Sequence, residues 1–167
     1  MTENQVTPQA TLPHFPPGYV EHPKRLLPWS HAEQRLTQAK NYWICSVRPN
    51  GRPHAIPKWA AWVQGKLYFD GSPETRHNRN LALNPFVSVH LESGDDVLIL
   101  EGTVQVLVKP DRDLTTQIAS AYTAKYKEAG YAPSPDQWDA GGLSELTPRS
   151  IIAWTSFADD PTKWVLE

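Results

Sequence analysis

From Tyr42 onward, apolar and polar positions alternate with a period near two, and turn residues cut the alternation into short pieces. Tyr42–Arg48 is aromatic and β-branched, Pro49-Asn50-Gly51 turns the chain, and Arg52–Val63 resumes the pattern, which predicts a β-hairpin. Pro57 falls inside the second strand. Proline gives a ladder no N–H, so it predicts an edge, a bulge or a break where the sheet parts. Gln64-Gly65 marks the next turn, before a strand at Lys66–Asp70. Strands follow at Phe86–Leu91 and Val97–Val108, separated by the turn Ser93-Gly94-Asp95-Asp96, with Gly102 a candidate bulge. Residues 130–149 contain Pro and Gly and read as loop; Arg149–Ser156 and Thr162–Leu166 read as the last strands.

Three helices fit between these strands. Ser30-His31-Ala32-Glu33 has capping-box spacing and predicts a helix from His31 to about Lys40, with Ala32, Leu36 and Ala39 on its apolar side. Ser72 as N-cap and Pro73 in the first helical position predict a second, which Asn84-Pro85 ends. Pro110-Asp111 opens the third, where Leu114, Ile118, Tyr122 and Tyr126 form a stripe that reads as core or dimer contact. Six or seven antiparallel strands with helices as caps predict a mainly β barrel or sandwich. There is no Gly-x-Gly-x-x-Gly and no Walker-type loop, so Rossmann-like nucleotide binding is excluded as the leading reading.

Composition narrows the function. The chain has 167 residues, 40% hydrophobic, with a net charge of −2, so a positive site must be local and no nucleic-acid footprint is present. No apolar run reaches a membrane span and the N-terminus lacks a signal-peptide core, which predicts a cytoplasmic protein. The single cysteine, Cys45, reads as a small buried hydrophobe, and the six histidines have no zinc-binding spacing, so no metal is assigned. Six of the 16 prolines fall between Pro8 and Pro28. Residues 1–29 therefore read as an extended arm, either disordered or laid across a partner subunit, ahead of one domain at 30–167. The seven tryptophans are too many for a domain of this size to bury easily.

The run Ser72-Pro73-Glu74-Thr75-Arg76-His77-Asn78-Arg79-Asn80 sets two arginines and a histidine at a helix start that follows a strand. Free N–H groups and the helix dipole favour an anion there, and the arginine forks match phosphate oxygens. Against this stands a solvated basic face. Asp95-Asp96 reads as a tight turn, since neighbouring residues point apart. His54 and His90, mid-strand, read as structural.

Four segments together resemble a known family: Arg48-Pro49-Asn50-Gly51-Arg52-Pro53-His54, Thr75-Arg76-His77-Asn78-Arg79-Asn80-Leu81, His90 to Val97 continuing to Leu100-Glu101-Gly102, and Asp160-Pro161-Thr162-Lys163-Trp164. Over residues 31–166 the chain resembles the pyridoxamine-5′-phosphate-oxidase-like split β-barrels, and most of all their flavin and deazaflavin oxidoreductases, which use FMN or F420. The resemblance implies a small closed barrel and a homodimer with the cofactor at its interface. It implies phosphate on Arg76, His77 and Arg79, helped by the Thr75 hydroxyl. It places Pro57, Lys58 and Trp59 along the ring, with Asp70, Gly71 and Ser72 at the ring or ribityl chain. Trp154, Lys163 and Trp164 would approach from the other subunit; for both tryptophans core packing is an equal reading. Lys58 reads equally as a snorkelling edge lysine. His77 stands where the family usually has lysine, which predicts phosphate affinity that weakens as the imidazole deprotonates. The implied reaction is hydride transfer to or from a planar or conjugated organic substrate, with the chemistry carried by the cofactor and no catalytic side chain assigned. The alternative is a barrel that binds a flavin, haem or aromatic ligand without turnover.

Overall fold

The alternation survives into three dimensions. In the computed structural model, which describes residues 7–166, Tyr42–Val47 (β2) buries Tyr42, Ile44 and Ser46 and turns Trp43 and Cys45 to the outer face. Cys45 is therefore half-buried on that outer face and not a core residue. Gly51, at φ 79°, makes the turn into Pro53–Lys58 (β3), and the two strands pair from Tyr42↔Lys58 to Val47↔Pro53. The predicted strand across Arg52–Val63 is broken: β3 stops at Lys58, and Ala61–Val63 (β4) begins after Trp59 and Ala60. Pro57 lies on the terminal strand of the sheet, where its missing N–H costs nothing. Gln64 and Gly65, both at positive φ, turn β4 into Lys66–Asp70 (β5).

The sheet has nine strands, more than the six or seven predicted. The others are Ala10–Thr11 (β1), Phe86–His90 (β6), Val97–Leu107 (β7), Leu143–Trp154 (β8) and Thr162–Val165 (β9), in the order β1-β9-β8-β7-β6-β2-β3, with β5 on β8 and β4 on β5. The ladder does not close, so the sequence expectation of a closed barrel is corrected: β3 and β4 end the sheet on opposite sides and only Trp59-Ala60 join them. The division lies on β8. Its first half pairs with β5, from Leu67↔Leu146 to Asp70↔Leu143, and its second half with β9, from Ser150↔Val165 to Ala153↔Thr162. Between them the β7–β8 register shifts, with Glu101 opposite Ser150 and Gly102 opposite Pro148, so the extra residue of the bulge is Arg149.

Three helices cover the sheet: Trp29–Gln38 (α1), Arg76–Leu83 (α2) and Arg112–Tyr126 (α3). α1 starts two residues early, with Pro28 at the N-cap, and the predicted capping box at Ser30 does not form. The α3 stripe is core, with Ile118, Tyr122 and Tyr126 buried and Leu114 packed against them. Over residues 7–28 the Pro-rich arm is tied to its own chain. β1 pairs with β9, the Lys24 and Arg25 N–H groups donate to the Asp159 carbonyl, and the Leu27 N–H donates to Thr162 Oγ1 at 2.8 Å. Residues 1–6 lie outside the described residues. Among the described residues no helix is long and apolar enough to cross a membrane.

α3 supplies the hydrogen bonds that the sheet lacks at the β3–β4 break. The Tyr126 hydroxyl accepts from the Ala60 N–H (3.2 Å) and donates to the Lys40 carbonyl (2.8 Å), and the Tyr122 hydroxyl sits between the Trp59 and Tyr68 carbonyls. Lys125 Nζ donates to the carbonyls of Ala39 (3.1 Å) and Ala60 (2.5 Å) and to the Tyr42 hydroxyl (2.8 Å). Burial pulls this amine from 10.5 down to about 7. Between those values the unfolded chain holds a proton that the folded chain lacks, so stability rises with pH, by about 2 kcal/mol from pH ~7 to ~9.5 for a partly exposed group. Burial raises Tyr126 and Tyr131 to about 12, so above pH ~10 the unfolded chain loses protons first and stability falls. Urea unfolding across this range should show a maximum near pH ~9–10. Lys125→Met should lose most of the rise and keep the fall; an unchanged rise would remove Lys125 as its source.

Candidate cofactor site

Everything at the site follows from where β5 ends. Asp70 closes the strand and Gly71 leaves it, with the Gly71 N–H donating to the Gly142 carbonyl, and Ser72–Thr75 forms a turn: the Thr75 N–H (3.1 Å) and hydroxyl (2.8 Å) both donate to the Ser72 carbonyl. α2 therefore begins at Arg76 with Thr75 as N-cap, three residues beyond the predicted Ser72 cap. Thr75 makes no side-chain cap, so among the described residues the N–H groups of the first turn have no partner, and no acidic residue stands among them. The Thr75 hydroxyl, expected on phosphate, is engaged with Ser72. Sequence reasoning gave no role to Asn78. Its amide donates to the carbonyls of Gly71 (3.2 Å) and Ser72 (2.9 Å), locking the helix to the loop, while its Oδ1 is buried without a partner.

Gly71 marks the centre. A Cβ built there would lie 3.2 Å from Lys58 Nζ, 3.6 Å from Asn78 Nδ2 and 3.7 Å from His77 Nε2, so three polar tips converge on a space that only glycine leaves open. Lys58 arrives from β3, half-buried, and donates to the Asp70 carbonyl at 2.5 Å; it does not snorkel away from the site. Burial lowers its pKa. His77 is buried, and desolvation, then the charge of Lys58, hold it down at about 4. The partly protonated imidazole expected from sequence is corrected: it is neutral at physiological pH. The fixed positive charge comes instead from Arg76 and Arg79, which are exposed on α2, and from Lys58. Cationic groups, free N–H donors and the Gly71 opening fit a phosphate-bearing group.

The remaining expected contacts divide. Pro57 and Trp59 flank Lys58; Trp59, 38% exposed, stacks one face on Tyr126 at 4.6 Å and 11°. The Asp70 carboxylate turns away, accepting from Tyr131 (2.6 Å), Gln137 (3.1 Å) and Trp138 (3.2 Å), and so fastens the loop before β8. Its carbonyl, not its side chain, faces the site. Trp154, packed on Phe157, and Lys163, opposite Ile152, stand at the far end of β8 from Leu143, the partner of Asp70, so one chain does not bring them to α2. Trp164 is fully buried in the core, edge-on to Trp29, and its ring is unavailable to a ligand. The ending that contains it serves the fold: buried Asp160 accepts from the Thr155 and Ser156 N–H groups and from Arg25.

Residues 29–154 match the family described as pyridoxamine 5′-phosphate oxidase. The chain belongs to this family. Solved structures agree with the pyridoxamine 5′-phosphate oxidase fold. One, named F420 reductase, is 24% identical over 71% of this chain and 94% of its own, with a TM-score of 0.55. General stress protein 26 from Bacillus anthracis is 16% identical, covers 82% and 97%, and scores 0.62. A heme binding protein from Mycobacterium smegmatis is 16% identical, covers 84% and 60%, and scores 0.63. No curated protein sequence matches the chain. Members of the pyridoxamine 5′-phosphate oxidase family bind FMN or F420.

Proposed function

We propose that this chain is an oxidoreductase that moves a hydride between F420 or FMN and a small planar or conjugated organic substrate. The observation that carries the reading is the convergence of Lys58, His77 and Asn78 on Gly71 beneath the uncapped start of α2. The phosphate would rest on the first-turn N–H groups with Arg76 and Arg79, and Lys58 would lie where the phosphate-bearing chain meets the ring. Pro57 and Trp59 would flank the ring, with Trp59 held flat by Tyr126. When bound, the cofactor supplies the hydride chemistry. The protein's part is to orient it and exclude water, which is consistent with a site whose histidine is neutral.

A homodimer is part of the same proposal. The outer face of β2, β3, β6 and β7 presents Trp43, Pro57, Ala55 and Ile99, half-buried or exposed, around a flat Trp43–His90 stack. An apolar sheet face of this kind suits a second copy, which would bring Trp154 and Lys163 toward the cofactor. The cytoplasm is the proposed compartment.

Titration with FMN and with F420, read by tryptophan quenching, tests the reading. Micromolar or tighter binding of one is expected, and it should be flat between pH ~6 and ~8, because the imidazole of His77 stays neutral there. Binding of neither overturns the proposal. Binding without hydride transfer to any of a panel of acceptors would favour the second reading, a non-catalytic module, which the likeness to the heme binding protein supports.

A further inference from the structure

β8 changes partners at its bulge, and the change leaves a gap in the sheet. β5 pairs with β8 as far as Leu146, and β9 takes over at Ser150, with the Leu166 N–H donating to the Arg149 carbonyl. Thr147 and Pro148 therefore have no paired strand on that edge, while β7 holds the other. A cavity of about 720 Å³ opens over them. Its walls are the β4–β5 turn, the arm and the end of β9, and α1 borders it with Trp29 and Glu33. The volume is that of a small-molecule site. β5 starts here at Lys66 and reaches the α2 opening only after Asp70, on the order of 13 Å along the strand, so this is a separate place.

The lining selects by charge. Lys66 is the one Lys or Arg in it, and its Nζ donates to buried Glu145 at 2.8 Å, which cancels its charge. Glu33 is the one carboxylate in the lining, and among the described residues no cation lies within 4.0 Å of it. One negative charge therefore stays unbalanced. Glu33 stands four residues after Trp29, which puts carboxylate and indole on one face of α1. Trp29 is half-buried and braced edge-on by Trp164, with ring centroids 5.8 Å apart at 72°, so it offers a fixed apolar wall. A cation gains from the carboxylate and from the negative face of the indole together, and an anion gains from neither.

We propose that this cavity binds a small organic cation with a planar body, its ammonium or amidinium group on Glu33 and its body against Trp29 and Pro148. No residue of the cavity belongs to the α2 site, so binding here and binding of a cofactor there succeed or fail independently.

Three probes of one size separate charge from shape: naphthylmethylamine, naphthamide and naphthoate, which are cationic, neutral and anionic at pH ~7. The full chain is titrated with each, and the indole N–H resonance of Trp29, assigned with Trp29→Phe, is followed by NMR. The amine should move that resonance and bind about fivefold tighter than the amide, with naphthoate weaker still and high salt narrowing the spread. Glu33→Gln should bring amine and amide within about twofold of each other. Its melting temperature should match that of wild type, because Glu33 is exposed and unpaired. Equal binding of amine and amide to wild type, a preference that survives Glu33→Gln, or a Trp29 resonance that no probe moves would overturn the site.

Discussion

Gly102→Ala should remove about 4 kcal/mol of stability, a large part of what a domain of this size possesses. A methyl group there would sit 2.3 Å from the Thr147 carbonyl oxygen and 3.0 Å from Pro148 Cα. Both are backbone atoms of β8, and neither can retreat without opening the β7–β8 ladder at its bulge. The site lies downstream of that bulge. Here β8 passes from β5 to β9, and β5 delivers Asp70 and Gly71 to the start of α2. Urea unfolding measures the loss directly. A cost below about 1 kcal/mol would mean that the bulge re-forms around a side chain and does not require glycine.

The fold was legible wherever the signal was local. Pro57 announced the break at the sheet end, Gln64-Gly65 announced its hairpin, and the Asp111 cap with the Ile118, Tyr122 and Tyr126 stripe announced α3. The first half of β8 was not legible. Gly141, Gly142 and Pro148 read as loop, yet Leu143–Thr147 is held in register by β7, with β5 on its other side as far as Leu146, and Pro148 is tolerated because it stands at the bulge. β1 was hidden for the same reason, as two residues in a Pro-rich run that only β9 makes into a strand.

The candidate site divides in a similar way. The run from Ser72 to Asn80 identified the place, since Arg76 and Arg79 after a strand are visible in one dimension. Its details were set by tertiary contacts. The amide of Asn78 ties up the Gly71 and Ser72 carbonyls, and the helix starts at Arg76 instead of Pro73. The charge of His77 was misjudged because burial, and Lys58 reaching in from β3, decide it.

Lys58→Met separates the charge of the site from its shape. Methionine matches most of the aliphatic stem, so β3 and the Trp59 stack should persist, while the cation and the bond to the Asp70 carbonyl disappear. Loss of a half-buried cation facing a phosphate-bearing cofactor should weaken binding about thirtyfold, or about 2 kcal/mol. A second readout distinguishes this from local collapse. Desolvation is the larger cause holding His77 at about 4 and the charge of Lys58 the next. Without that charge the imidazole should titrate higher, but still below its ordinary 6.5 because it stays buried. Imidazole resonances followed against pH report this shift in the absence of any ligand. A raised His77 with weakened binding supports Lys58 as the cation beside the phosphate-bearing chain; a raised His77 with unchanged binding would place the cofactor elsewhere on the barrel.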